Sequence, residues 1–196
     1  MRFGCFLFCC FALVSGVSNA SETILCVSVP DQKMVLIQDG AETARYPVST
    51  SKFGVGDSWG SYTTPLGQLQ IAAKIGSQAP EGAVFKERRM TGEVLPPNAP
   101  GRDPIVTRIM WLRGLEAGNA NSFKRCIYIH GTPEERLLGR PVSWGCIRMR
   151  SRDVVKVFDA VPVGTRVEVM EKTVRQILRD QADMSRLARN TRSDND

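Results

Sequence analysis

The segment from Ile129 to Met149, IHGTPEERLLGRPVSWGCIRM, decides both the fold and the chemistry that this sequence predicts. It contains the only histidine of the chain, His130, and further on Cys146, which follows Gly145 directly. The residues that lead into the histidine, CIYIH, are rich in β-branched and aromatic side chains. They predict a β-strand that ends at His130.

The alternation of side chains along this strand predicts which way the histidine points. Cys126, Tyr128 and His130 fall on one face, and Ile127 and Ile129 fall on the other. Because the isoleucines are expected in the core, His130 is expected on the opposite face at the end of the strand. A lone histidine or a lone buried cysteine is more often structural than catalytic, but the two together favour a catalytic pair.

A cysteine becomes a strong nucleophile when a histidine takes its proton, and the sequence predicts a thiolate–imidazolium pair between Cys146 and His130. Gly145 permits a tight turn in which backbone N–H groups stabilise the oxyanion that develops on an attacked carbonyl. A backbone carbonyl, such as that of Gly131, is available to orient the imidazole. Papain-like enzymes place cysteine before histidine, and caspases use a much longer separation, so neither class fits.

The N-terminal residues 1–20 are predicted to be a cleaved secretory signal peptide. Arg2 is the only charge, an apolar run extends from Phe3 to Val14, and small residues precede a cleavage site after Ala20. The alternative is an uncleaved anchor, but the run is shorter than the roughly 20 apolar residues that span a bilayer. We therefore expect an exported protein of the periplasm or cell envelope, with no integral membrane segment after cleavage.

The net charge of +6 is compatible with an anionic partner such as cell wall, a membrane surface or nucleic acid. The basic residues are scattered and form no basic–aromatic cluster, so nucleic acid is the least favoured of these partners.

Three of the six cysteines lie in the predicted leader, which leaves Cys26, Cys126 and Cys146. An odd number in an oxidising compartment predicts at least one free thiol. Cys26 and Cys126 are either a disulfide or buried thiols, and we favour buried thiols. One histidine and three dispersed cysteines do not make a zinc site, so we expect no metal and no cofactor.

The sequence predicts a mainly β fold. Strands are expected at TILCVSV, KMVLIQ, AETARYPVS, QLQIAAKI, IVTRIMWL, CIYIH and RVEVM. Asp39-Gly40 predicts a hairpin between the second and third of these. Residues 76–104 are proline-rich and aperiodic, which predicts a structureless segment that is either disordered or a functional lid.

Helices are predicted at three places. A short helix is expected after Thr132, with Thr132 and Glu135 forming a capping box, and it should stop at 139–141. A second helix is expected from Ser151, and the tail from Glu171 is expected to be a packing helix with a frayed end. The apolar positions that support the last two helices are Val154, Val155, Phe158 and Val161, and then Val174, Ile177, Leu178, Met184 and Ala188.

The motif HGT, followed after a gap by SxGCIRM, resembles the catalytic signature of the L,D-transpeptidase family (YkuD domain). The element TPLG at Thr64 to Gly67 and the stretch TRIMWLRGLE also resemble exported proteobacterial members. The resemblance covers residues 21–170. It divides the chain into the signal peptide 1–20, a catalytic domain 21–170 and a C-terminal helix and polar tail 171–196.

The family resemblance implies a mainly β, sandwich-like fold and a cysteine acyltransferase of peptidoglycan. Cys146 would attack the stem tetrapeptide after the L-centre of diaminopimelate and release D-alanine. An amine acceptor would then resolve the thioester. By position in the motif, His130 is the base, Gly131 supplies the orienting carbonyl, and Gly145 and Cys146 supply oxyanion N–H groups.

One position departs from the family pattern, which usually has histidine where this chain has Trp144. Indole takes no proton from a thiol, so only the backbone N–H of Trp144 is expected to serve, in the oxyanion pocket. Arg148 is expected either to bind a substrate carboxylate or to form a structural ion pair. Tyr128, on the same strand face as His130, is a further candidate for substrate binding.

The acceptor is left open by the sequence. It could be the amine of a second stem, a lipoprotein lysine or a free D-amino acid. Water would make the protein an L,D-carboxypeptidase instead. A third alternative is a catalytically dead wall-binding module, against which the retention of both His130 and Cys146 counts.

Overall fold

The structure is a computed structural model that describes residues 22–193, with side chains described up to residue 187. The predicted signal peptide lies outside the described residues. The elements, in chain order, are β1 Thr23–Ser28, β2 Lys33–Gln38, β3 Ala41–Pro47, β4 Gly67–Ile75, β5 Ala83–Lys86, β6 Arg89–Val94, β7 Ile105–Gly114, β8 Tyr128–Gly131, β9 Ile147–Met149, α1 Ser151–Ala160, β10 Arg166–Met170 and α2 Val174–Ser193.

The described strands form one hydrogen-bonded sheet, in the order β3-β2-β1-β10-β4-β7-β5-β6. Two short strands lie outside this order. β8 pairs antiparallel with β7, and β9 pairs parallel with β8. The hairpin between β2 and β3 turns at Asp39 and Gly40, which both have positive φ, as the sequence predicts.

The main core explains how a single sheet gives the predicted sandwich-like packing. Apolar side chains from β1, β2, β4 and β10 meet those of β7, β8, β9 and α1 in one buried cluster. Ile127 and Ile129 belong to this cluster, as expected from their face of the strand. The sheet therefore folds over itself, and the short strands β8 and β9 are fixed against the core just where His130 and Cys146 lie.

The prediction of a structureless segment at 76–104 is wrong. β5 and β6 form an antiparallel hairpin there, and β5 also pairs with β7. The sequence gives little sign of this hairpin because every residue of β6 is exposed, so no apolar alternation marks it.

The helix predicted after Thr132 is a single 3₁₀ turn at Glu135–Leu137, and the capping box does not form. Thr132 Oγ1 accepts the N–H of Glu134 at 3.0 Å. Glu135 instead accepts the N–H of Ser151 with its carboxylate at 2.9 Å, so it caps the start of α1. The interaction is long-range in sequence, which is why local pattern assigned Glu135 to the wrong helix.

The two predicted longer helices are present, with small corrections to their buried faces. In α1, Val157 is buried and Val155 is only partly buried, while Val154 and Phe158 are buried as expected. In α2, Val174 and Ile177 pack with Cys26 and strand residues of β1 and β2. Met184 is 65% exposed, so the apolar face of α2 is not covered along its whole length. None of the helices in residues 22–193 is long and apolar enough to cross a membrane.

Candidate active site

His130 lies near the end of β8 and is almost completely buried. Its Nδ1 is 2.8 Å from the carbonyl oxygen of Gly131. A carbonyl only accepts, so Nδ1 carries the proton and Nε2 keeps its lone pair free to take another. Gly131 has room for no side chain, since an added Cβ would lie 2.6 Å from the carbonyl oxygen of Val106.

The turn before Cys146 is held by buried hydroxyl groups. Ser143 Oγ donates to the carbonyl of Cys146 at 2.6 Å and accepts the N–H of Gly145 at 3.2 Å. Thr64, from the TPLG element, donates from Oγ1 to the carbonyl of Gly145 at 3.0 Å and accepts the N–H of Ser51 at 2.9 Å. These bonds fix the backbone on which the thiol stands.

Gly145 is required by the shape of this turn. Its φ is +117°, a conformation that residues with a side chain rarely adopt. An added Cβ would also lie within 3.4 Å of the backbone carbonyls of Thr63 and Tyr62. Because the N–H of Gly145 already donates to Ser143, an oxyanion would have to displace that bond. The N–H groups of Trp144 and Cys146 are the better candidates for the oxyanion role.

Cys146 borders two hollows on the protein surface. The smaller, of about 240 Å³, is lined by Asp103, Ile105, His130, Trp144, Cys146 and Arg148. The larger, of about 440 Å³, is lined by Trp144 and Cys146 and by residues of two further segments. These residues are Trp59, Gly60, Ser61 and Tyr62, and then Lys124, Arg125, Cys126 and Ile127. The structure therefore brings His130 and Cys146 together in one hollow and leaves a second approach to the sulfur.

Burial disfavours the charged forms of both the Cys146 thiol and the His130 imidazole. The pKa of His130 is lowered to about 4, chiefly by burial and in smaller part by the nearby Arg148, against the opposing effects of the hydrogen bond to Gly131 and of Asp103. Burial raises the pKa of Cys146 to about 11, against the backbone of Tyr128, which favours the thiolate. The thiol points its proton at the carbonyl of Cys126, 3.5 Å away. Both shifts favour the uncharged forms, because desolvation penalises both charges. The thiolate–imidazolium pair expected from sequence stays a prediction.

Arg148 forms an ion pair in the smaller hollow. Its Nη1 lies 2.6 Å from Oδ2 of Asp103, and both side chains are largely buried. Asp103 also accepts the hydroxyl of Thr132 at 2.5 Å. Of the two roles that the sequence left open for Arg148, the resting structure shows the ion pair. Asp103 was missed at the sequence level, because it lies in the aperiodic segment and is brought to the site only by the fold.

The side chain of Tyr128 turns away from both hollows. Its hydroxyl accepts from Arg88 at 3.2 Å, and its ring packs edge-on against Trp111. The backbone of Tyr128 contacts the Cys146 thiol.

Cys26, Cys126 and Cys146 are all free thiols. Cys26 is buried in the interior as favoured, and burial raises the pKa of its thiol to about 12. Cys126 is only half-buried and lies before β8 with a φ of +59°, so the regular strand alternation predicted for it fails there.

A buried ion pair supports the larger hollow and was also missed. Arg125 Nη1 lies 2.6 Å from Oδ1 of Asp57, and each side chain is about 5% exposed or less. The Nη2 of Arg125 donates to the carbonyls of Ser61 and Thr63. This arginine therefore fixes the loop before β4 against the segment before β8. Two oppositely charged residues far apart in sequence carry no signal of such a contact.

Trp144 is 55% exposed and lines both hollows. Its ring meets those of Phe53 and Tyr62 edge-on, at centroid distances of 5.2 and 5.1 Å. Within residues 22–193, no group of three or more His, Cys, Asp or Glu side chains is placed to hold a metal ion.

Comparison with known proteins identifies the family. The model of the L,D-transpeptidase catalytic domain (YkuD) matches residues 22–169. YqjB of Bacillus subtilis, an L,D-transpeptidase by name, is 29% identical over 177 residues, which cover 87% of this chain and 86% of YqjB. YbiS of Escherichia coli, likewise an L,D-transpeptidase by name, is 37% identical over 97 residues, 49% of this chain and 28% of YbiS. These relatives come from more than one bacterial group, so a proteobacterial subtype stays a prediction.

Solved structures agree on the fold. An L,D-transpeptidase from Mycobacterium tuberculosis superposes with a TM-score of 0.51 at 19% identity, covering 77% of this chain and 58% of that one. The predicted mainly β fold is confirmed, and so is the predicted resemblance. The chain belongs to the L,D-transpeptidase catalytic domain family and is an enzyme of that family.

Proposed function

We propose that this protein is a cysteine acyltransferase of peptidoglycan. Membership of the L,D-transpeptidase family supports peptidoglycan crosslinking in general. The observation that carries the finer proposal is that Cys146 and His130 line one hollow, with the imidazole held by Gly131 in the tautomer that accepts a proton.

In the first half-reaction, Cys146 Sγ attacks the carbonyl after the L-centre of diaminopimelate in a stem tetrapeptide. His130 Nε2 takes the thiol proton as the carbon–sulfur bond forms, since neither group is charged beforehand. The N–H groups of Cys146 and Trp144 stabilise the oxyanion. The carbon–nitrogen bond then breaks, and His130 returns the proton to the amine of the departing D-alanine.

In the second half-reaction, an amine attacks the thioester and gives its proton to His130, and Cys146 leaves as the thiol. The two hollows that border the sulfur support this proposal, because donor and acceptor then have separate approaches to one atom. A second stem, a lipoprotein lysine or a D-amino acid would each supply the amine. Export to the periplasm or cell envelope, proposed from residues 1–20, would place the enzyme with this substrate.

The test is incubation of the purified protein with tetrapeptide muropeptides, with the products measured by mass spectrometry. Crosslinked dimers are expected. Tripeptides alone would indicate an L,D-carboxypeptidase, in which water reaches the partly exposed Cys146. An unchanged substrate, together with no adduct on Cys146, would contradict the proposal and leave a wall-binding module.

A further inference from the structure

Three exposed aromatic side chains line the larger hollow, and a fourth packs against two of them. This aromatic patch consists of Phe53, Trp59, Tyr62 and Trp144, whose exposed fractions range from 49% for Phe53 to 70% for Trp59. Among the side chains described up to residue 187, these four are the exposed large aromatics. A contiguous exposed apolar surface beside a site commonly marks a binding surface.

The patch is held in place by buried contacts beneath it. Tyr62 and Phe53 both pack on Trp144, and Lys52 Nζ lies 4.3 Å from the centroid of the Trp144 ring. Beneath them, Arg125 fixes the backbone of the loop through two carbonyl groups. Trp59 takes part in none of the ring contacts found in the described chain, so its faces are available to a ligand.

The patch is close to the sulfur. Trp59, Tyr62 and Trp144 line the same hollow as Cys146. Under the proposed function, the acyl carbon on Cys146 belongs to the third residue of a stem that is joined to a sugar. Three residues of extended peptide span about 11 Å, so the sugar lies on the order of 10–20 Å from the thioester once its linker is included.

We infer that the aromatic patch binds the amino-sugar rings of the glycan strand that carries the donor stem. This inference rests on the proposed function, since it assumes that a stem is attached at Cys146. Pyranose rings with equatorial substituents present faces of C–H bonds, and these complement the electron-rich faces of aromatic rings. Lys52 and Lys124, which lie at the patch and along the hollow, complement the carboxylates of a stem peptide.

The shape of the surface favours a glycan over a protein partner. A stable protein interface buries about 800 Å² on each side and is broadly flat, whereas this site is a hollow of about 440 Å³ rimmed by rings. Concave sites of this size suit ligands of one or a few rings.

The first test compares two acyl donors, a free tetrapeptide and the same tetrapeptide attached to its disaccharide. The rate of acylation of Cys146 is measured for each over a range of donor concentrations. The wild-type protein is expected to have a KM about tenfold lower for the disaccharide form, the size of effect that aromatic contacts of about 1.4 kcal/mol produce. In Trp59→Ala the ratio of the two KM values should fall toward one, and Trp59→Tyr should restore most of it. Leu115→Ala, which changes an exposed apolar side chain outside the patch, should keep the wild-type ratio.

The second test needs no turnover. Binding of a β-1,4-linked N-acetylglucosamine tetramer to Cys146→Ala is followed by tryptophan fluorescence, and adding Trp59→Ala should weaken it about tenfold. Binding of the tetramer, together with a wild-type protein that neither donor acylates, would support the patch and contradict the proposed function. Equal KM values for both donors in the wild type, or no tetramer binding, would overturn the inference. So would dimers of the protein that dissociate in Trp59→Ala, because the patch would then bind a second copy of the chain.

Discussion

The two hollows that meet at Cys146 are built in different ways. The smaller one is lined by buried groups, among them His130 and the paired charges of Asp103 and Arg148. The larger one is lined by exposed rings on loops, and its buried ion pair lies beneath the loop backbone. Groups that move a proton need fixed positions and little water, whereas groups that recognise a polymer must remain exposed. We therefore expect chemistry to depend on the smaller hollow and substrate preference on the larger one.

The largest effect should follow loss of the sulfur that both hollows share. Cys146→Ala is expected to abolish acyl-enzyme formation with a carbapenem or a tetrapeptide, because no other thiol or hydroxyl side chain lines the smaller hollow. Mass spectrometry of the intact protein measures the adduct. Cys126→Ser is the matched control, since Cys126 is a free thiol of the larger hollow and should chiefly affect folding. A normal adduct on Cys146→Ala would assign the chemistry to another residue.

The second-largest effect is expected for loss of His130, the proposed base in the smaller hollow. His130→Gln keeps a polar side chain but removes the proton acceptor, and the acylation rate should fall roughly 10²–10⁴-fold. The rate is measured by rapid mixing at neutral pH, with circular dichroism to check that the variant is folded. Acylation at near the wild-type rate would mean that the thiol is activated by some other route.

The pH dependence of acylation tests the lowered pKa of His130. Burial lowers the pKa of His130 to about 4, so the imidazole stays unprotonated and competent well below neutral pH, and acylation should decline only near pH 4. An ordinary histidine, with a pKa near 6.5, would be only about 3% neutral at pH 5. Initial acylation rates from pH 8 down to 4 distinguish these outcomes. A midpoint near 6.5 would contradict the lowered pKa of His130.

The same lowered pKa has a consequence for folding. The unfolded chain binds a proton at its single histidine more readily than the folded protein does. The contribution of His130 to the free energy of unfolding is therefore complete above about pH 6.5 and is lost as the pH falls toward 4. The stability of His130→Gln should accordingly change less between pH 6.5 and 5 than that of the wild type.

The ion pair of the smaller hollow should affect stability more than an exposed pair does. Asp103→Asn leaves the largely buried Arg148 with only its longer contact to Glu134, at 3.9 Å. We expect a loss of roughly 2 kcal/mol, below the value for fully buried pairs because both side chains keep some exposure and one acidic partner remains. Acylation should slow about tenfold as the hollow relaxes. Urea unfolding measures the first effect.

Glu42→Gln is the matched control for this variant. It breaks the exposed pair between Glu42 and Arg45 and should cost about 0.5 kcal/mol or less. Equal losses of stability in the two variants would show that Asp103 and Arg148 behave as a surface pair.

The sequence predicted what depends on local pattern and missed what depends on long-range contact. Strand alternation located Ile127 and Ile129 in the core, and the glycine-cysteine turn was recognisable from Gly145. Asp103 was not recognisable, because its partner Arg148 meets it only after β7, β8 and β9 pair.

The pKa shifts of Cys146 and His130 could not be predicted from the sequence, for a related reason. Residue types indicate that Cys146 and His130 can exchange a proton, but their pKa values are set by burial. Burial is a property of the folded chain. The aromatic patch could not be predicted for the same reason, since Phe53, Tyr62 and Trp144 come together from two separate segments.

The smallest effect is expected at Trp144, which belongs to both hollows. Its ring packs on Phe53 and Tyr62, and its backbone stands beside Cys146. Because the backbone N–H is what the proposed oxyanion pocket uses, Trp144→His should change acylation by a free tetrapeptide only modestly, by about threefold or less. Trp144→Gly should reduce it more, because a second glycine beside Gly145 loosens the turn that positions the thiol.

The measurement is the acylation rate of Cys146 in the wild type and in both Trp144 variants, with a carbapenem as a donor that lacks sugar. If a histidine at this position were an essential base, the wild type would be inert and Trp144→His would restore activity. The structure argues against that outcome, since the hydrogen bond from His130 to Gly131 already leaves one imidazole nitrogen free to accept the thiol proton. Acylation of the wild type would show that a single histidine is sufficient, and that Trp144 acts through the position of its backbone and the packing of its ring.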